Sequence, residues 1–352
     1  MKNLFSTAVA TALFFVVSSA SAQDQTQDHA KGAVIQFETG NEDRGMFAPV
    51  FEPFFDNTVG EQTSDGHLSW DWRISYTPHR TNPAWFKPIK RKLFWLSDKA
   101  TVRTGSSVQQ ALFMPDETQR LLGFAERPHA GYLAYEERIA LSDPLSTHSQ
   151  RLDTLALTLG VVGPLSGAET VHKLSHDLVG LTSANNWQQI ESEPIVNLYY
   201  ERAQRFFLLK SQARENLEFM PYVGAAVGNA LTYGAVGGTL RVGGDLTKDH
   251  GAHRMGPLLV GNNFAQKGDY VAWSVFLGAE GRAVARNIFL DGNTFQDSYS
   301  VGKNSAVADL QMGFELGWGA TRLTVTNLWR TKEFTSQSKP DQLLKAALSF
   351  SY

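Results

Sequence analysis

The last nine residues constrain the fold of this chain more than any other stretch. Leu344, Ala346, Leu348, Phe350 and Tyr352 alternate with Lys345, Ala347, Ser349 and Ser351, and the sequence stops on the aromatic. Alternation with a period of two sends successive side chains to opposite faces of a strand. One face here is apolar and the other is mixed, so this strand separates two different environments.

Similar alternation recurs along the chain. Strand-like segments are read near 33–40, 64–77, 100–115, 128–142, 151–163, 191–208, 217–230, 232–245, 268–284, 297–314, 319–332 and 341–352. In the clearest, Val271, Trp273, Val275, Leu277 and Ala279 share one face, and Ala272, Ser274, Phe276 and Gly278 the other. An even number of segments suits an antiparallel barrel whose ends meet. Glycines crowd 224–244, which fits strongly curved strands and tight turns. An amphipathic last strand ending in an aromatic resembles the terminal strand of bacterial outer-membrane barrels. An ordinary half-buried antiparallel strand has the same alternation.

The ends and the composition narrow the choice. Met1-Lys2, the apolar run Leu4 to Val17 and the small residues Ser19-Ala20-Ser21-Ala22 predict a secretory signal peptide over 1–22, cleaved after Ala22. The chain has no cysteine. An exported chain without disulfides must be held by hydrogen-bond closure and packing. No apolar run of about 18 residues follows the leader, so helical membrane spans are not expected, whereas strands of about 9–11 residues can cross a bilayer. A formal net charge of −3 offers no basic surface for nucleic acid. With no repeat or linker, 23–352 reads as one domain. The expected fold class is an all-β, 12-stranded antiparallel transmembrane β-barrel in the bacterial outer membrane, with a short helix in one long extracellular-side loop.

Tight turns and long loops are expected at opposite rims, the long ones being 41–63, 78–98, 115–128, 164–190, 246–267 and 285–297. Loop 78–98 interleaves Trp85, Phe86 and Trp95 with Arg80, Lys87, Lys90, Arg91 and Lys92. That mixture suits an interface with anionic lipid headgroups, and equally a solvated loop with anchoring rings.

The one clear helical pattern lies in 161–194. Ser166 and Glu169 form an S-x-x-E capping-box signature, and Val171, Leu174 and Leu178 recur at helical spacing before Gly180. This predicts an apolar packing face of Val171, Leu174 and Leu178, with His172 and His176 opposite. H-K-L-S-H lacks the central glutamate of a zinc-binding H-E-x-x-H, so zinc is set aside. Asn41-Glu42-Asp43 after the first strand offers oxygen ligands for a hard cation, or is simply an acidic turn. There is no G-x-S-x-G elbow, phosphate-cradling loop or thiol nucleophile.

Several separated blocks then bring a family into view: GNEDRGMFAP at 40–49, AERPHAGYLAYE at 125–136, and VVGPLSGAETVHKLSHDLVG with Trp187 and Ser192-Glu193-Pro194. MPYVGAAVGNALTYGAVGGTLRVG at 220–243 and GAEGRAVARNIFLDGNTF at 278–295 extend the match. In this order they resemble the outer-membrane lipid A 3-O-deacylases of the LpxR type, from about residue 33 to the C-terminus. The resemblance implies a twelve-stranded barrel that removes an ester-linked acyl chain from lipid A with the help of calcium (Ca2+). By position it implies His176 as the base that activates water, Asn41 and Glu42 at the metal, Ser64 as a site hydroxyl and Arg120 near the oxyanion. The sequence departs from the family pattern at Glu42, where aspartate is expected, and at Thr182, where an acidic residue is common. The expected function is lipid A deacylation, an ester hydrolysis acting on lipopolysaccharide. The alternatives are a catalytically impaired family member serving as a binding or structural barrel, and an outer-membrane phospholipase using Ser64 or Ser175. His172 is read as a polar helix-face residue.

Overall fold

A computed structural model of the chain describes residues 33–41, 67–78, 97, 99–179, 189–211, 214–244, 246, 251, 252, 254, 255 and 272–351. The signal-peptide segment 1–22 and most of the Trp- and Lys-rich stretch 78–98 lie outside the described residues. Twelve strands follow in order: β1 Val34–Asn41, β2 Leu68–Thr77, β3 Thr101–Phe113, β4 Ala130–Pro144, β5 Ser149–Val162, β6 Glu193–Ser211, β7 Arg214–Gly228, β8 Leu231–Gly243, β9 Ala272–Asn287, β10 Ala306–Trp318, β11 Thr321–Arg330 and β12 Asp341–Ser351. Each pairs antiparallel with the next, and β12 closes on β1 in continuous register from Val34 opposite Ser351 to Asn41 opposite Leu344. The closed sheet leaves no unpaired edge, the condition for β-structure in hydrocarbon. Among the described residues no helix is long and apolar enough to cross a membrane.

The alternation divides the wall as expected. On β9, Leu277 is 51% exposed while its neighbour Phe276 is 2% exposed. Ile35, Phe37, Val196, Leu240, Leu310 and Phe350 also face outward. The interior is polar. Glu218 accepts hydrogen bonds from Arg205 (2.9 Å from Nε) and Arg241 (3.2 Å), and Arg241 also reaches Glu315 at 3.1 Å. Asp309 receives Arg282 at 2.8 and 3.0 Å and Arg330 at 3.0 and 2.9 Å. Charges that lipid cannot solvate are thus turned inward and paired there.

The predicted segregation of loops needs correcting. The rim that carries the start of β1 and the end of β12 holds the tight connections 145–148, 212–213 and 319–320, but also the long ones 78–100 and 244–271. The opposite rim holds 42–67, 114–129, 163–192, 288–305 and 331–340, with one tight turn at 229–230. The described residues of connection 244–271 reach into the barrel. The Leu246 carbonyl accepts from Arg205 at 2.8 Å, Arg254 reaches Glu201 at 2.5 Å and lies 3.7 Å over the Tyr222 ring, and the Met255 N–H donates to Gln311 at 2.9 Å. Met255 packs on Leu328 and Leu343, with Leu68 against them at the far rim. The expected strand 297–314 begins only at Ala306, since the one-turn helix α3, Ile288–Asp291, and an irregular stretch precede it. We call the rim with most of the tight turns the terminal rim and the other the loop rim. Short turns are characteristic of the periplasmic side.

Glu218 is fully buried between two arginines. Glu218→Ala would strand both guanidinium groups, so it is expected to lower stability by about 3–5 kcal/mol. Urea unfolding in lipid vesicles, followed by tryptophan fluorescence, measures this.

Candidate functional site

The outer face of β3 is the exception to the lipid-facing pattern. Val108, Gln110 and Leu112 point outward by alternation yet are buried. Their cover near the loop rim is α2, Ala168–Val179, which follows the short 3-10 turn Pro164–Ser166. Leu112, Met114 and Ala168 form one apolar cluster that seats the helix on the wall. Gly131 of β4 lies under the same turn: a Cβ there would meet Ser166 Oγ at 2.1 Å and Ala168 Cβ at 2.8 Å. Gln110 bridges the layers, accepting from the Trp72 indole N–H at 3.0 Å and donating to the Ser166 carbonyl at 2.7 Å. The turn itself requires Gly163, at φ 84° against the 190–191 backbone, and Gly167, at φ 69°.

The buried face of α2 is not the predicted one. His172 is 1% exposed and lies one turn beyond the buried Ala168, whereas Leu174 is 40% exposed. Backbone position 176 lies one further turn along on the Ala168–His172 face. His172 therefore turns toward the barrel, and Leu174 turns away from it. The seat explains this: the small Ala168 lets the helix lie close over Gly131 and Leu112, while the exposed side carries Lys173 and Asp177 beside Leu174. The side chains of Ser175 and His176 lie outside the described residues. The capping box is also not formed. Ser166 Oγ accepts from Ala168 N–H at 3.3 Å, but Glu169 binds Lys173 (2.6 Å) and Gln189 (2.8 Å) instead of reaching back.

Asn41 is the last residue of β1, and the alternation of exposed Ile35 and Phe37 with buried Gln36 and Glu38 puts its position on the outward face. It stands near the loop rim, with only β2 between β1 and the helix-bearing β3. At about 4.8 Å between neighbouring strands, those two strand lines are about 10 Å apart. The Asn41 side chain, Glu42, Ser64 and Thr182 lie outside the described residues. Arg120 sits on α1, Glu117–Leu121, whose N-cap Asp116 accepts from Thr118 N–H at 2.9 Å and Gln119 N–H at 3.2 Å. Its guanidinium pairs with Glu117 at 2.8 Å on the surface. The fold thus brings the positions of Asn41 and His176 to one rim and one outer face, while Arg120 is held in a local ion pair.

One buried cluster had no counterpart in the motif reading. His67, just before β2, faces Asp341 Oδ1 from Nδ1 at 2.7 Å and Glu126 Oε2 from Nε2 at 3.0 Å. Gln337 donates to Asp341 at 2.7 Å, the Asp116 N–H donates to Glu126 at 3.2 Å, and Phe334 meets the imidazole edge-on at 5.2 Å. These residues are distant in sequence, and although Glu126 lies in the 125–136 block, no local spacing links it to His67 or Asp341. The two carboxylates address opposite ring nitrogens, so they share no metal position. Among the described residues no group of three or more His, Asp or Glu could hold a metal ion. The Asn41–Glu42 pair remains the candidate: its donors are all oxygens, which suit a hard cation such as calcium.

Comparison with known proteins follows the same lines. A family model described as outer membrane protein LpxR matches residues 8–352. The solved structure of LpxR from Salmonella typhimurium aligns with a TM-score of 0.68 at 19% identity, covering 90% of this chain and 99% of that one. The translocator domain of the autotransporter NalP from Neisseria meningitidis aligns at a TM-score of 0.35 and 8% identity, over 99% of this chain and 97% of that one. No curated protein sequence matches the chain.

The helix seat has a direct test. Gly131→Val should lift α2 from the wall, since no side chain fits beneath Ser166 and Ala168. Limited proteolysis should then cut within 163–192 at least tenfold faster, while the barrel keeps its heat-modifiable gel mobility.

Proposed function

Because this chain belongs to the family of the outer membrane protein LpxR, we propose that it is a lipid A deacylase that hydrolyses the ester of a 3'-linked acyloxyacyl chain. The family match over nearly the whole chain carries this reading. The outer-wall seat of α2 supports it, because it leaves the His176 position facing the wall at the rim where acylated glycolipid is reached from the bilayer side. A hydrolase that worked from the lumen would instead have to admit acyl chains among paired buried charges.

In this reading the His176 imidazole takes a proton from water as the water oxygen bonds to the ester carbonyl carbon. The tetrahedral oxyanion then collapses, the bond to the sugar oxygen breaks, and the proton passes to that oxygen, leaving a free acid and an alcohol. Calcium held by Asn41 and Glu42 would supply positive charge for the oxyanion. Ser64 would orient water or substrate by its hydroxyl. Arg120 would add a donor at the oxyanion once released from Glu117, a contribution typically of a few kcal/mol per donor.

Mass spectrometry of lipid A from cells expressing the protein should reveal loss of one acyloxyacyl mass. His176→Ala should slow that loss by about 10²–10⁴-fold, the usual worth of a general base. Chelation of calcium in outer-membrane preparations should suppress acyl release, and added calcium should restore it. A second reading, a binding or structural barrel, is favoured by Glu42 and Thr182, where the family pattern has other residues. Unchanged lipid A from the parental protein with calcium present would select it.

A further inference from the structure

The cluster around His67 joins three separate connections of the loop rim. His67 ends the β1–β2 connection, Glu126 lies in the β3–β4 connection, and Asp341 opens β12 after the β11–β12 connection. All three residues are buried, as is Gln337. Each imidazole nitrogen lies within hydrogen-bond reach of a carboxylate oxygen, Nδ1 of Asp341 and Nε2 of Glu126, so one ring ties the two carboxylates together in a site shielded from water. Arg330, paired to Asp309, adds positive charge on the Asp341 side. The His67 carbonyl accepts from Met114 N–H at 3.2 Å, and Met114 is part of the apolar seat of α2. Glu126 also receives the N–H of Asp116, the N-cap of the helix that bears Arg120.

The clamp therefore touches the entry to β2, the loop that bears Arg120 and, through Met114, the seat of α2. Ser64 is three residues before His67 in the sequence, and the β1–β2 connection starts directly after Asn41. Arg120 lies between Asp116 and Glu126. The seat of the His176 helix begins at Met114. We infer that His67, held between Glu126 and Asp341, is a positioning residue for the deacylation proposed above, fixing the entry to β2 to the Arg120 loop and the helix seat. It touches no reacting atom, and its effect passes through the backbones it ties together. Displacing a reacting group by about 1 Å can cost about 10²-fold in rate.

The test uses the full-length barrel in outer-membrane vesicles containing hexa-acylated lipid A, with kcat and KM for acyl release measured beside heat-modifiable mobility. His67→Phe keeps the ring and its packing on Phe334 but removes both ring nitrogens. Glu126→Leu removes one carboxylate, and Glu126→Gln keeps an acceptor oxygen for the imidazole. The expected result is folded protein in all three cases. In His67→Phe and Glu126→Leu, kcat should fall about 10–100-fold with KM changed less than threefold, and Glu126→Gln should recover to within about fivefold of the parent. Folded His67→Phe and Glu126→Leu variants with kcat within twofold of the parent would overturn the inference while leaving the deacylase reading intact. Loss of heat-modifiable mobility in both would also overturn it, in favour of a purely structural clamp. If the parental barrel itself released no acyl chain, the functional reading would fail, and the positioning role with it.

Discussion

Closure of β12 on β1 is the constraint from which the rest of this structure follows. In hydrocarbon, an unpaired backbone N–H or carbonyl costs several kcal/mol, so a sheet must have no edge. Once the sheet closes, each strand has one outward and one lumenal side. Most buried arginines and carboxylates described go inward, where Glu218, Glu315 and Asp309 each serve more than one donor, while the outward Asp153 is paired with Arg202. Apolar side chains go outward. After β8, Leu246, Arg254 and Met255 reach into the lumen, and Arg254 finds Glu201 there.

Against that background, the helix α2 stands out because it lies on the wrong side for a soluble protein. It packs on the exterior of the wall, over strand residues that would otherwise face lipid. Polar groups there must be satisfied by protein, and Gln110 does so by bridging Trp72 and Ser166. The same location inverts the helix. Ala168 and His172 meet the barrel, and Leu174 looks outward. A reading calibrated on soluble proteins sends the leucines to the core, which is why the amphipathic pattern was detected correctly and oriented incorrectly.

The rim is also more integrated than its loops suggest. His67, Glu126, Asp341 and Gln337 tie three connections together. On the lumenal side below the loops, Phe113, Tyr132 and Phe289 stack at 4.1 and 5.9 Å to cap the interior with apolar surface. Catalytic geometry at a membrane surface demands such bracing, since loops alone carry little burial energy.

The sequence by itself determined the number of strands, their alternation and the existence of one helix with two histidines, because each depends on local periodicity: two residues per pleat, 3.6 per helical turn. The family followed from ordered blocks of residues, a signal stored in the chain. Only the tertiary structure decided which side of the wall the helix occupies, that Arg254 and Met255 reach into the lumen, and that Arg120 pairs with Glu117. It alone brought His67 to Glu126 and Asp341, 59 and 274 residues away. Those outcomes depend on the closing of a barrel and on two different solvents inside and outside it. No window of neighbouring residues records either.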